Sequence, residues 1–258
     1  MLELGQLMLS WLESLLLPMT RLTAFFLVAP LFPQVLSNVR IRIIYAFLLC
    51  VMMLPVLPNS TAAPVLPFGE PNLLLVLNEA LLGVSIGLVL QFISAAVVVA
   101  GEHISMSLGI GFAQAFDPTI GPSPVLSQFL NITALLVFLT AGGHTQLIIM
   151  LTESIRVVPP GSFSVLDLQM WLEFAGVIFK GAALLCAPLL LALLAVNIGV
   201  GALSRATPAL NIFAVGFAIS LLIGFSLLFI LMPIMGERML ELWQQAQSYI
   251  KSRLLSTG

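Results

Sequence analysis

The residues able to do chemistry in this chain are few and scattered. The two histidines, His103 and His144, have no second His or Cys at metal-ligand spacing, and the HExxH pattern is absent. His103 follows Glu102, but adjacent residues on a helix point in different directions and do not make an acid–base pair. His144, within Ala141–Gly142–Gly143–His144–Thr145, reads as a packing or hydrogen-bonding residue. No GxSxG elbow, phosphate-cradling Walker loop or dinucleotide fingerprint is present. Cys50 and Cys186 both fall inside apolar segments, so neither a disulfide framework nor a thiolate metal site is indicated. These residues imply no enzyme, no cofactor and no metal.

The charges that remain stand out against their surroundings. The 258 residues are 60% hydrophobic and only 8% charged, with a mean hydropathy of +1.15. Soluble domains carry about 25% charged residues, so the composition is that of a polytopic, all-α membrane protein. A net charge of −2 argues against a nucleic-acid partner. Arg21 lies in the middle of an apolar segment, where insertion costs about 2.5–3.5 kcal/mol, and so must face protein. Glu79 and Lys180 raise the same problem, with snorkelling to the interface as the alternative for each. Together with Arg205 they could also serve substrate or proton transfer in a secondary transporter, although no inverted repeat is visible.

Six apolar segments must position these groups, each about long enough to cross roughly 30 Å of hydrocarbon. They run approximately over Leu9–Leu31, Ile41–Leu57, Leu73–Ala100, Val125–Leu151, Trp171–Val200 and Asn211–Met235. Pro-rich connectors at Asn59–Pro71 and Arg156–Val165 separate them, and no domain boundary divides residues 1–258. The N-terminus, with Glu3 and Glu13, does not read as a signal peptide. Loop charges do not orient the chain. Arg40, Arg42 and Arg205 fall on one side, Arg156, Arg238, Lys251 and Arg253 on the other. The imbalance leans only slightly toward cytoplasmic termini, which implies that some segments are not ordinary lipid-exposed spans. An amphipathic helix over about 237–255, with Met239, Leu242, Trp243, Ala246, Tyr249 and Ile250 at helical spacing, closes the sequence. It suits the membrane surface, a partner, or its own chain.

Three patterns concern backbone. Gly83 and Gly87 make a GxxxG pair, and Gly101 belongs to a later run of the same spacing, which suits close helix packing within the chain or against another subunit. In Gly101–Leu126, glycines and prolines break the helix while Phe112 and Phe116 keep it apolar. Irregular apolar backbone of this kind is tolerated only inside protein or beside a water-filled cavity. In Asn197–Phe217, Pro208 ends a helix running through Arg205 and predicts a sharp antiparallel turn.

At these residues the chain resembles the FliR family of bacterial flagellar type III export-gate components. The motifs are Asn197, Gly201, Arg205 and Pro208, followed by Ile212–Phe213 and Gly216–Phe217; Ala100–Gly101–Glu102; the Gly109-x-Gly111–Phe112–Ala113-x2-Phe116–Asp117–Pro118 stretch; Leu139–Thr140 with Gly143–His144; Arg21 with Ala29–Pro30; and Leu231–Met232–Pro233. The resemblance implies a FliP-like part joined to a FliQ-like part in a hetero-oligomeric ring with FliP-like and FliQ-like subunits, an associated FlhB-like protein, and a place in the bacterial inner membrane at the flagellar basal body. It further implies that the loop over about 106–124 plugs a pore through which unfolded flagellar proteins pass. Gly109 and Gly111 would give flexibility, Phe112 and Phe116 would block the pore, and Asp117–Pro118 would fix the exit. Arg21, Gly83, Gly87, Gly101, Asn197, Gly201, Arg205 and Pro208 would serve structure or subunit packing. The injectisome counterpart shares this fold and is the alternative within the same resemblance.

Overall fold

A computed structural model describes residues 2–30, 38–53, 55, 73–110, 125–158, 168–206 and 212–254. Apart from a short 3₁₀ turn at Pro55, the elements among them are helices: α1 (Leu2–Val28), α2 (Val39–Met53), α3 (Leu73–Ser107), α4 (Val125–Thr140), α5 (Gly143–Val157), α6 (Leu168–Ala175), α7 (Val177–Ala206) and α8 (Ile212–Tyr249), the last running into a π-helical turn at Ile250–Leu254. The protein is thus an all-α, polytopic membrane-type chain. Three helical stretches, Leu73–Ser107, Trp171–Ala202 and Ala218–Arg253, are long and apolar enough to cross a bilayer, or four spans if α4 and α5 count as one broken span. At 15 residues, α2 reaches only about 22 Å, short of the hydrocarbon thickness.

Helix bounds depart from the apolar segments for local reasons. Helix α3 continues through Gly101 and Glu102 to Ser107. The apolar run Val125–Leu151 is two helices, because Gly142 takes the left-handed conformation with φ 73° and its carbonyl then receives the N–H groups of Thr145 and Gln146. Pro233 lies inside α8 without ending it, and the amphipathic tail is the continuation of α8. Its apolar stripe is largely covered by its own chain: Met239, Leu242, Trp243, Ala246 and Ile250 are buried, and Tyr249 is half-buried.

The chain forms two compact units. One comprises residues 1–91, 142–175 and 244–258; the other, 92–141 and 176–243. In the first, α1 and α2 form an antiparallel hairpin, tied by Arg42 Nη1 donating to Leu27 O at 2.9 Å. The Phe26 and Tyr45 rings also meet edge to face at 5.1 Å. Helix α3 runs parallel to α1, with Gly83 against the backbone of Arg21 and Gly87 against Phe25 O and Val28. Here the small residues let two helices of one chain touch backbone to backbone.

In the second unit α3 and α4 are antiparallel. Ser94 Oγ donates to Asn131 Oδ1 at 2.9 Å, and Gly101 lies where a Cβ would be 2.6 Å from Ser127 Cα. Helices α7 and α8 form the antiparallel hairpin that Pro208 predicted: Gly216 packs on Val200 and Gly224 on Leu193. Between those contacts, Ser220 Oγ donates to Asn197 Oδ1 at 2.9 Å.

Candidate functional site

The loop singled out in the sequence is rooted in the second unit, and its two roots are well defined. Helix α3 stops at Gly109, whose φ of 81° suits glycine. The N–H of Gly109 donates to Met106 O at 3.0 Å and that of Ile110 to Ser105 O at 3.1 Å. This pair of bonds is a Schellman cap, which satisfies carbonyls that the helix end would otherwise leave open. Gly109 is therefore a helix stop held by two hydrogen bonds. The chain re-enters helix at Val125, which is 75% exposed. Gly111, Phe112, Phe116, Asp117 and Pro118 lie outside the described residues.

Both roots open onto one apolar cavity of about 490 Å³, lined by Ile110, Val125 and Phe129 on one side and Phe225, Phe229 and Met232 of α8 on the other. Nothing in this lining offers a nucleophile, an acid–base group or a metal ligand. What the lining offers is shape and hydrophobicity, the properties of a site that accommodates apolar groups. Among the described residues no group of three His, Cys, Asp or Glu side chains is arranged to hold a metal ion. His103 and His144 are both exposed.

The polar centre of the molecule lies elsewhere, in the first unit. Arg21 of α1 and Glu79 of α3 are both fully buried and paired: Nε donates to Glu79 Oε2 at 2.7 Å and Nη2 to Oε1 at 3.1 Å. The guanidinium then reaches the end of α5, where Nη1 donates to Ser154 O at 2.7 Å and Nη2 to Val158 O at 3.0 Å. A planar fork of five donors is the side chain that can fill such a set of acceptors. Snorkelling is thereby excluded for Glu79, which lies inside the protein. Lys180, by contrast, is exposed on α7.

The remaining residues flagged in the sequence, Pro208 apart, fall on α7. Asn197 holds Ser220, as above. A methyl group at Gly201 would meet no atom within 4 Å. Arg205 lies in the last turn of α7, its side chain outside the described set, and Pro208 is outside the described residues. Several working residues had no signal in the sequence. Ser154 and Val158 act through backbone carbonyls, which carry no side-chain signature. Gln146 with Gln247 (2.6 Å) and Glu153 with Lys251 (3.4 Å) join α5 to the end of α8 through common surface residue types.

Comparison with known proteins places this architecture. Residues 12–246 match the family described as bacterial export proteins, family 1. The flagellar biosynthetic protein FliR of Pectobacterium carotovorum subsp. carotovorum is 35% identical, over 88% of this chain and 87% of the relative. FliR of Escherichia coli (strain K12) is 34% identical over 88% and 87%, respectively. FliR of Aquifex aeolicus (strain VF5) is 33% identical over 87% of both chains. With the match running from within α1 into the last turn of α8, the chain belongs to the bacterial export proteins of family 1, the family of the flagellar biosynthetic proteins FliR.

Proposed function

We propose that this chain is a non-enzymatic component of the flagellar protein export gate. In this reading it joins FliP-like and FliQ-like subunits, with an FlhB-like protein alongside, to form the pore by which unfolded flagellar proteins cross the bacterial inner membrane at the basal body. The observation that carries the reading is the family match over residues 12–246, which includes the loop and both of its roots. The relatives named above are flagellar, which favours the flagellar gate over its injectisome counterpart.

Two physical features support it. Helices α7 and α8 leave large apolar side chains uncovered, with Phe179 76%, Leu191 67%, Leu222 70% and Phe229 83% exposed, so lipid or neighbouring subunits must cover them. The Arg21–Glu79 pair has its donors occupied and is sealed from solvent, which leaves no free carboxylate there for proton transfer and counts against a secondary transporter.

The loop between α3 and α4 is the plug in this proposal. Phe112 and Phe116 form a hydrophobic obstruction that holds back water and ions yet yields to a passing chain. Gly111 and the Asp117–Pro118 step shape it. Deleting Gly111–Phe116 makes the inner membrane leak small ions, measured as conductance in cells that still assemble the gate. Unchanged conductance would remove the plug assignment. Co-purification with FliP-like and FliQ-like subunits tests the assembly itself, and transport by the purified chain alone would overturn it. Motility scored against effector secretion in a deletion strain separates the flagellar from the injectisome gate.

A further inference from the structure

The geometry points to Arg21 as a cross-helix cap. It positions α5 by closing that helix's C-terminal carbonyls, and its ion pair with Glu79 serves to aim and neutralise the fork. Two arguments separate this role from that of a simple buried salt bridge.

The first concerns the acceptors. Helix α5 ends at Val158, whose N–H donates to Ser154 O at 3.1 Å. Ser154 and Val158 are 0% and 1% exposed, so water does not reach their carbonyls. The Ser154 hydroxyl is committed to Leu151 O at 2.7 Å. Arg21 supplies the donors: Nη1 reaches Ser154 O and, at 3.5 Å, Ser154 Oγ, while Nη2 reaches Val158 O. A cation here also opposes the negative end of the α5 dipole. Ser154 O keeps the Val158 N–H without Arg21, but Val158 O has no other donor among the described residues, and a buried carbonyl left without one is costly whatever becomes of Glu79.

The second concerns the pair itself. A buried ion pair replaced on both sides by apolar residues is often neutral or stabilising, whereas losing one partner is not. If pairing were the whole role of Arg21, removing both charges would be tolerated. Removal is not tolerated because leucine donates nothing: Val158 O is then without a donor among the described residues, and Ser154 O keeps only the Val158 N–H.

The element so fixed is the one on which the end of α8 rests. Gln247 Nε2 donates to Gln146 Oε1 at 2.6 Å, and Lys251 Nζ lies 3.4 Å from Glu153 Oε2. Arg21 therefore holds one end of α5 while the other contacts dock the chain's later residues against it.

The test uses the full chain, co-expressed with its gate partners, with Cys50→Ala and Cys186→Ala and a reporter pair Gln146→Cys and Gln247→Cys. A short bifunctional thiol reagent reads the α5–α8 contact as cross-link yield per membrane-inserted chain, alongside motility. Removing both charges (Arg21→Leu with Glu79→Leu) lowers the yield about fivefold or more, the factor that about one kcal/mol gives. Arg21→Lys, which keeps the pair and loses the fork, falls between that variant and the parent. Parental cross-linking and motility in the doubly apolar variant would overturn the capping role. Should that variant fail to accumulate, Arg21→Lys decides: parental values overturn the proposal, and reduced yield sustains it.

Discussion

A methyl group added at Gly83 would be driven into the carbonyl oxygen of Arg21, a backbone atom with nowhere to go, while one added at Gly201 would meet nothing within 4 Å. Gly83→Ala is therefore expected to destabilise the chain by about 2–3 kcal/mol or more, read as loss of membrane-inserted protein. Gly201→Ala is expected to leave the isolated chain unchanged or more stable by up to about 1 kcal/mol, since alanine is the better helix residue. If Gly201→Ala nonetheless impairs motility, the cause lies with a neighbouring subunit, and comparing thermal stability with motility separates the two. At this scale the sequence was partly legible. An arginine in an apolar helix demanded a buried partner, and Glu79 was visible as a second misplaced charge. Their pairing across 58 residues was not, because nothing in either segment encodes the register of α1 on α3.

Element boundaries follow from a few backbone positions. Gly109 ends α3 through its left-handed conformation and two capping bonds, so Gly109→Ala places a β-carbon at φ 81° and costs about 1 kcal/mol. Amide hydrogen exchange at Leu108–Ile110 should rise in that variant, while exchange in α7 stays unchanged. Gly142 has the same kind of φ, yet a β-carbon there meets no atom within 4 Å, so Gly142→Ala is limited to strain of similar size without a clash. Apolar periodicity could not reveal the break it makes, because hydrophobicity continues through Val125–Leu151 on both sides. Pro233 gave the opposite lesson. The apolar segment was read to end at Met235 and the amphipathic helix to begin near 237, yet α8 runs unbroken through Pro233 to Tyr249, carried by buried Met239, Leu242 and Ala246 beyond.

For the whole molecule, the balance of covered and uncovered apolar surface matters most. In α3, 56% of the most apolar window is buried by the chain itself, against 22% in Trp171–Ala202 and 17% in Ala218–Arg253. The later helices thus depend on surroundings for cover. Phe229→Ser, at a side chain 83% exposed, should change the stability of the isolated chain by no more than about 0.5 kcal/mol. Co-purification with neighbouring gate subunits should nevertheless fall. Retained co-purification would assign that face of α8 to lipid. The helical class and membrane character were plain from composition, since few charges and long apolar runs admit little else. Which helices bury one another was not plain, because a helix apolar all round has no face that periodicity can single out.

The first unit gathers residues 1–91, 142–175 and 244–258, so its packing spans nearly the whole sequence. A ribosome adding about 5–20 residues per second takes on the order of ten seconds or more to travel from Arg21 to the far contacts at Gln247 and Lys251. Glu79 follows the arginine by 58 residues and the α5 carbonyls by 133 and 137, so for part of that interval the arginine is made while those acceptors are still to come. Whatever shelters it then, whether membrane insertion machinery or a waiting neighbour, has a timed task set by the order of the chain.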